Sequence, residues 1–334
     1  MLVERAHPLA RLLFSVGPDL IALSGFIVVL AILWATYGAA PITLGHGSTL
    51  LPPLVMAALL AGSLMAGLRD ILAGDAAARR RFVARALTVM RDWSPLIMAM
   101  VVYDNFHDLT RIVRPHPVDA TLARLDQALF GVEPSLWLQP LTRPWLTEYL
   151  SFAYALLFVY PLVLLTLLYL RGQFLGFREL GLALSMAFYL GLIGFMLVPA
   201  VGPRYALADR FHVPLHGYWL ATSAAAAWNS VEKVDRDCFP SLHTALSSIA
   251  LVYLWRHRAL GRGLLLPISL PLIVSLWGST LYLRYHYAVD VLAGWALAVL
   301  CCYAAPAMMR WYYGSLHDWG ALRCDFAPAA SSRS

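Results

Sequence analysis

The segment ELGLALSMAFYLGLIGFMLVP, residues 179–199, carries one charged side chain, Glu179, at its first position. A helix of this length spans about 30 Å, the thickness of a bilayer's hydrocarbon core. It therefore reads as a membrane span. Working outward, comparable apolar runs lie at about 20–37, 50–68, 148–170, 242–256, 264–283 and 287–309. An eighth, WSPLIMAMVVYDNFHDL at 93–109, is apolar in its first half only and ends in Asp104, His107 and Asp108. The fold expected is an all-α polytopic integral membrane helical bundle of about eight spans.

Composition agrees. Hydrophobic residues make up 60% of the 334 and charged residues 13%, against roughly 25% charged in soluble domains. A soluble globular class is excluded. The net charge of +6 does not imply nucleic acid, because Arg and Lys flanking spans on the cytoplasmic side give the same excess. No nucleic-acid motif or basic soluble domain is present. Cys238, Cys301, Cys302 and Cys324 form neither a disulfide framework nor a zinc pattern. The first apolar run lacks a small-residue cleavage site and reads as a retained anchor.

Orientation follows from local basic density. The tight turns at 171–178 and 256–262 hold Arg171, Arg178, Arg256, Arg258 and Arg262, while the long loops 110–147 and 200–240 mix their basic residues with acids. Short loops are read best by the positive-inside rule. Both termini are thus expected in the cytoplasm and both long loops outside, in what reads as a bacterial cytoplasmic membrane. The chain divides into a two-span extension with a basic cytoplasmic loop (1–92), a six-span catalytic core (93–310) with an outer loop at 104–147, and a cytoplasmic tail (311–334). In the first outer loop, Val118, Leu122, Leu125 and Leu129 are spaced by four, three and four, one apolar helical face. That helix, with Asp119, Arg124 and Asp126 beside the apolar face, lies on the membrane surface or packs beneath the loop as a lid.

Three stretches at the outer ends of spans carry chemistry: Pro199-Ala-Val-Gly-Pro-Arg204-Tyr205, Asp237-Cys-Phe-Pro-Ser241-Leu-His243-Thr244 and Arg284-Tyr-His286-Tyr-Ala-Val-Asp290. Ionisable groups at membrane depth need a partner or a function. His286 and Asp290, four apart, share a helix face; alone they are as well explained by a structural pair. A carboxylate on one imidazole nitrogen leaves the other free to attack. His243 follows a helix start whose N–H groups favour a bound phosphate. It is placed to protonate a leaving alkoxide. Ser241 is either a hydroxyl donor to that phosphate or a helix cap. Arg204 and Arg284 are candidate phosphate ligands, since a guanidinium binds phosphate oxygens in a fork; the commoner role of a lone Arg there is an interfacial anchor. Tyr205, Lys233, His107 and Arg111 are possible substrate contacts. Lys233 belongs to a mixed-charge loop, and His107 and Arg111 join Asp104 and Arg114 in a group that bridges to the outer loop or lines an entrance.

In order and spacing these stretches resemble the three signatures of the type 2 phosphatidic acid phosphatase superfamily, and more narrowly its inositol phosphorylceramide synthase-like branch. Phe-Pro-Ser-Leu-His at 239–243 stands where the superfamily has Pro-Ser-Gly-His, His286-x-x-x-Asp290 matches the third signature, and Gly-Pro-Arg204 supplies the first. Leu125-Asp126 through Leu129-Phe-Gly131, then Pro134, looks like that branch's outer loop. The resemblance covers roughly 100–305. It implies a six-helix core and attack on phosphorus by His286, oriented by Asp290, with His243 protonating the leaving group. It also implies metal-independent chemistry through a phosphohistidine, with no cofactor. Leu197 replaces the family's Lys, Pro203 precedes Arg204 instead of following it, and Thr280 replaces an Arg after the retained Ser279. Reduced signatures of this kind resemble branches that move a phosphorylated head group between alcohols.

The function expected is a lipid phosphotransferase: a membrane lipid phosphate or phosphodiester substrate is cleaved, and an alcohol resolves the intermediate. The alternative is a lipid phosphatase in which water does so. A transporter binding an anionic lipid without chemistry is a third reading. The expected inverted repeat and discontinuous spans are not visible in the sequence.

Overall fold

The computed structural model describes residues 8–37, 76–104, 107–157, 159–221 and 236–318. Every regular element among them is helical. In chain order they are α1 (Pro8–Tyr37), α2 (Ala76–Asp104), α3 (His107–Val113), α4 (Asp119–Phe130), α5 (Pro134–Trp137), α6 (Pro144–Ala155), α7 (Val159–Leu170), α8 (Phe174–Leu197), α9 (Pro203–Ala206), α10 (Leu242–Arg256), α11 (Leu265–Tyr282) and α12 (Ala288–Asp318). Short 3-10 turns join some of them.

Five stretches among the described residues are long and apolar enough to cross a membrane: Val16–Tyr37, Pro144–Leu170 (α6 with α7), Phe174–Leu197, Leu265–Tyr282 and Ala288–Gly314. The protein is an all-α integral membrane bundle. The run expected at 50–68 lies outside the described residues. That at 93–109 falls on the apolar half of α2 and on α3. The run at 242–256 is α10, only 15 residues long. It is the central helix, packed against α7, α8, α11 and α12 and buried along most of its length. The expected boundary at 92/93 falls within α2, and α12 continues past residue 310 to Asp318.

A buried ionic cluster ties α1 and α2 to the core. Arg91 on α2 donates to Asp19 on α1 at 2.8 and 2.9 Å, to Asp92 at 3.2 Å and to the Val16 carbonyl. Arg178 on α8 donates to Asp92 at 3.1 Å and to Tyr313 of α12 at 3.2 Å. Arg178, read in the sequence as a cytoplasmic flanking charge, and Arg91, at the end of the basic loop, are therefore also structural pins. The candidate site lies at the other end of α8, about 28 Å away along its axis by helical rise.

At the site's end the two long loops interlock. Val118 N–H donates to the Pro199 carbonyl at 2.8 Å, and Arg236 donates to the carbonyls of Arg114 and Pro115 at 3.1 and 2.8 Å. Gln139 accepts from the N–H groups of His212 and Val213. Glu148 accepts four consecutive backbone N–H groups, Tyr218 to Ala221, which explains how a carboxylate is held at the start of an apolar stretch.

Helix α4 packs by a face that its polar residues share. Its buried face is Asp119, Leu122 and Asp126, while Leu125 is 45% and Leu129 61% exposed. The carboxylates point inward and two of the leucines outward. The apolar spacing located the helix, but the polar residues select its inner face.

Candidate active site

The three motif stretches meet where α8 ends and α10 and α12 begin. Two features make that possible. Gly202 has φ +84°, and a Cβ there would meet the Tyr285 carbonyl at 2.5 Å. Only glycine fits so close a backbone approach at that dihedral. The crossing of α10 and α12 is equally tight at Gly294, which faces the Ser241 carbonyl. The Arg204 N–H then donates to the Arg284 carbonyl at 2.7 Å and the Ser241 N–H to the Asp290 carbonyl at 3.0 Å, fastening each stretch to the third.

The two imidazoles touch. His286 Nε2 lies 3.4 Å from His243 Nδ1, with the rings tilted by 61°. Asp290 stands behind His286, its Oδ2 3.6 Å from Nδ1, in ion-pair range but beyond a hydrogen bond. The short contact of Nδ1 is instead the Cys238 carbonyl, at 2.9 Å. A carbonyl only accepts, so Nδ1 carries the proton and the Nε2 lone pair faces the site. Asp290 Oδ2 accepts from the Tyr287 N–H at 2.7 Å and from the Cys238 thiol at 2.9 Å. All three residues are buried: Cys238 is 3%, His286 4% and Asp290 0% exposed. Burial first, then the Asp290 charge, pushes the Cys238 thiol well above its ordinary value, so Cys238 stays protonated as a donor.

His243 is held on its other side by aromatics. Tyr154, in the middle of the α6–α7 stretch, stacks on His243 at 4.2 Å between centroids and on Tyr285 at 4.9 Å. The backbone at 285 and 286 is set by Thr280, whose carbonyl accepts from both N–H groups at 3.0 and 3.1 Å. Thr280 is fully buried, a small side chain where the family has Arg. Leu197, at the family's Lys position, is exposed.

The other expected ligands are placed unequally. Arg204 is half-buried; it donates to the Tyr285 hydroxyl at 2.7 Å and lies over the Tyr285 ring, at the edge of the aromatic stack covering His243. Arg284 is buried, donates to the Val213 carbonyl and lies 4.1 Å over Phe211. There it anchors the second outer loop. Burial, then the Arg204 charge, lowers its guanidinium from the ordinary value. Ser241 caps α10: its hydroxyl oxygen accepts from Thr244 N–H at 3.3 Å and Thr244 Oγ1 at 3.1 Å. Tyr205 and Arg111 are exposed. Lys233 and the His107 side chain lie outside the described residues. Of the polar group after the third expected span, Arg114 does bridge, donating to the Leu197 carbonyl.

Sequence reasoning missed Cys238, Tyr154 and the inward role of the α4 carboxylates. Cys238 could have been flagged by its place five residues before His243. Tyr154 carries no local signal. Asp126 accepts the N–H groups of Ala288 and Val289 at 2.7 and 2.9 Å. Asp119 accepts those of Val201 and Gly202 at 3.1 and 2.9 Å, and the Tyr287 hydroxyl at 3.1 Å.

Two contacting imidazoles with a carboxylate behind one of them, at span ends in a membrane bundle, make this cluster the candidate active site. A family model described as PAP2 superfamily matches residues 120–304, over half of the chain, and the chain belongs to that superfamily. Phosphoinositol dihydroceramide synthase of Bacteroides thetaiotaomicron is 24% identical over 226 residues, covering 61% of this chain and 73% of that relative. No solved structure matches the chain. The protein is an integral membrane enzyme that handles lipid phosphates.

Proposed function

We propose that the enzyme is a metal-independent lipid phosphotransferase with His286 as nucleophile. One observation carries the reading: His286 Nδ1 is tied to the Cys238 carbonyl with Asp290 behind it, while Nε2 faces His243. Nε2 attacks phosphorus, the N–P bond forms, and the P–O bond to the lipid alkoxide breaks. His243 gives that alkoxide its proton. An acceptor alcohol then returns its proton to His243 as its oxygen takes the phosphoryl group and the N–P bond breaks. Asp290 and the Cys238 carbonyl stabilise the cationic ring throughout. Arg204, beside the aromatic stack, is the nearest candidate for the phosphate charge, with Tyr205 as a substrate contact.

An attacking nitrogen, a phosphorus and a hydrogen-bonded leaving oxygen in line need roughly 5 Å or more between the outer atoms. The imidazoles stand closer than that, so substrate binding parts them. Transfer to an alcohol is preferred over hydrolysis because the nucleophile is buried, away from bulk water, beside a His243 that Tyr154 covers. The Bacteroides relative's name, a synthase, supports the same choice. The site is taken to face the extracytoplasmic side with both termini in the cytoplasm, a reading supported by the Arg-rich turns 171–178 and 256–262. A lipid phosphodiester labelled at phosphorus, supplied with lipid and polyol alcohols, tests the proposal. Label should reappear in a new phosphodiester. Label released as the phosphorylated head group, the product when water resolves the intermediate, would make the enzyme a hydrolase, and unchanged turnover in His286→Ala would remove the nucleophile.

A further inference from the structure

Three ligand-type atoms close a triangle behind the His286 ring. Cys238 Sγ is 2.9 Å from Asp290 Oδ2 and 3.7 Å from His286 Nδ1, which is 3.6 Å from Oδ2. Such a triangle has a point about 2 Å from all three corners, close to zinc's bond lengths to nitrogen and oxygen and a little short of that to sulfur. The cluster is buried on every side; the thiol proton lies between Sγ and Oδ2, and the Nδ1 proton is directed to the Cys238 carbonyl.

A second feature points to a cation. Asp290 Oδ1 is buried and has no hydrogen-bond partner among the described residues. A buried carboxylate with one bare oxygen is costly unless positive charge compensates it. Thiol plus imidazole excludes hard cations such as Mg²⁺ and suits Zn²⁺ or Cd²⁺. The sequence hides the site because Cys238 lies 48 and 52 residues from its two partners, far outside zinc-motif spacing.

We propose that Cys238, His286 and Asp290 form a binding site for a thiophilic divalent cation, and that occupying it switches the enzyme off. The second half rests on His286 being the nucleophile. The cation takes Cys238 as thiolate, releasing one proton, and Asp290 as carboxylate, so the occupied cluster is neutral overall and suited to burial. It takes His286 through Nδ1, whose proton moves to Nε2. The ring stays neutral, but Nε2 is now N–H and has lost the lone pair that attacks phosphorus.

Cadmium titrated into the purified full-length protein in detergent tests this through the ultraviolet thiolate-to-cadmium charge-transfer band. One equivalent should bind with the band, Zn²⁺ should displace it, and Cys238→Ser should lose it. A protein with Cys301, Cys302 and Cys324 changed to Ala, keeping Cys238 alone, should retain it. No band, or a band undiminished in a Cys238→Ser protein that melts like the parent, overturns the site. Zn²⁺ should lower lipid-phosphate turnover tenfold or more, reversibly with a chelator; occupied protein that turns over normally overturns the switch. If His286→Ala still turns over substrate while the parent's Cys238-dependent band is intact, the nucleophile falls and the metal site stands.

Discussion

Asp126 and Asp290 grip one turn of chain between them. Asp290 accepts the N–H of Tyr287, and Asp126, from helix α4, accepts those of Ala288 and Val289. Three consecutive donors at the start of α12 are thus satisfied by two carboxylates. Helix N-termini leave such donors open and attract anions; here the anions are built in. The start of α12 is closed to a phosphate, and His286 is aimed by a turn that cannot relax.

Asp126 gives the first prediction. Burial pushes its carboxyl up to about 6, against the opposing pull of its two backbone N–H bonds. A carboxyl whose folded value exceeds its unfolded value binds more protons when folded between the two. Its contribution to stability therefore falls as pH rises from about 4 to about 6, by at most about 3 kcal/mol. Asp126→Asn cannot titrate. Melting curves should show wild type losing stability relative to Asp126→Asn across that window, and a pH-independent difference would show that Asp126 is not shifted.

The His286–His243 contact gives the second. If the two rings act as one unit, His286→Ala and His243→Ala should each lower turnover by roughly 10³-fold or more, and the double variant should be little worse than either. Multiplying losses in the double variant would mean independent roles. Thermal melts of all three variants separate lost chemistry from lost fold.

How far the sequence carried these residues depends on where their partners come from. The apolar runs and the His286–Asp290 spacing are local patterns, and both were readable. Gathering the three stretches followed from their shared outer ends. What could not be read depends on tertiary pairing. Asp119 and Asp126 read only as polar neighbours of an apolar face because their backbone partners lie 82 to 163 residues away. Arg284 read as a phosphate ligand because the sequence cannot show that its positive φ accompanies a side chain laid on Phe211. The Cys238 carbonyl took the Nδ1 contact expected of Asp290, a difference of under 1 Å that spacing alone does not resolve.

Tyr154 gives the third prediction. Its ring holds His243 by stacking, so the aromatic face matters more than the hydroxyl. Tyr154→Phe should keep turnover within a few-fold. Tyr154→Ala should lose about 10² in kcat, the usual cost of displacing a catalytic group by about 1 Å. Equal losses in both variants would assign the effect to the hydroxyl instead.

Gly294 gives the last, paired with a control. A Cβ at Gly294 would sit 2.5 Å from the Ser241 carbonyl and 2.9 Å from Thr244 Cβ. The first is backbone and cannot swing aside, so α10 has to move away from α12, carrying His243 with it. Overpacking of this kind costs about 1–3 kcal/mol. Gly294→Ala should therefore lower both the melting temperature and turnover. Gly278, on α11, has nothing within 4 Å of a Cβ, and Gly278→Ala should raise stability by about 0.5–1 kcal/mol through helix propensity alone and leave turnover unchanged. If both substitutions behave alike, the close crossing of α10 and α12 does not set the spacing of the two imidazoles.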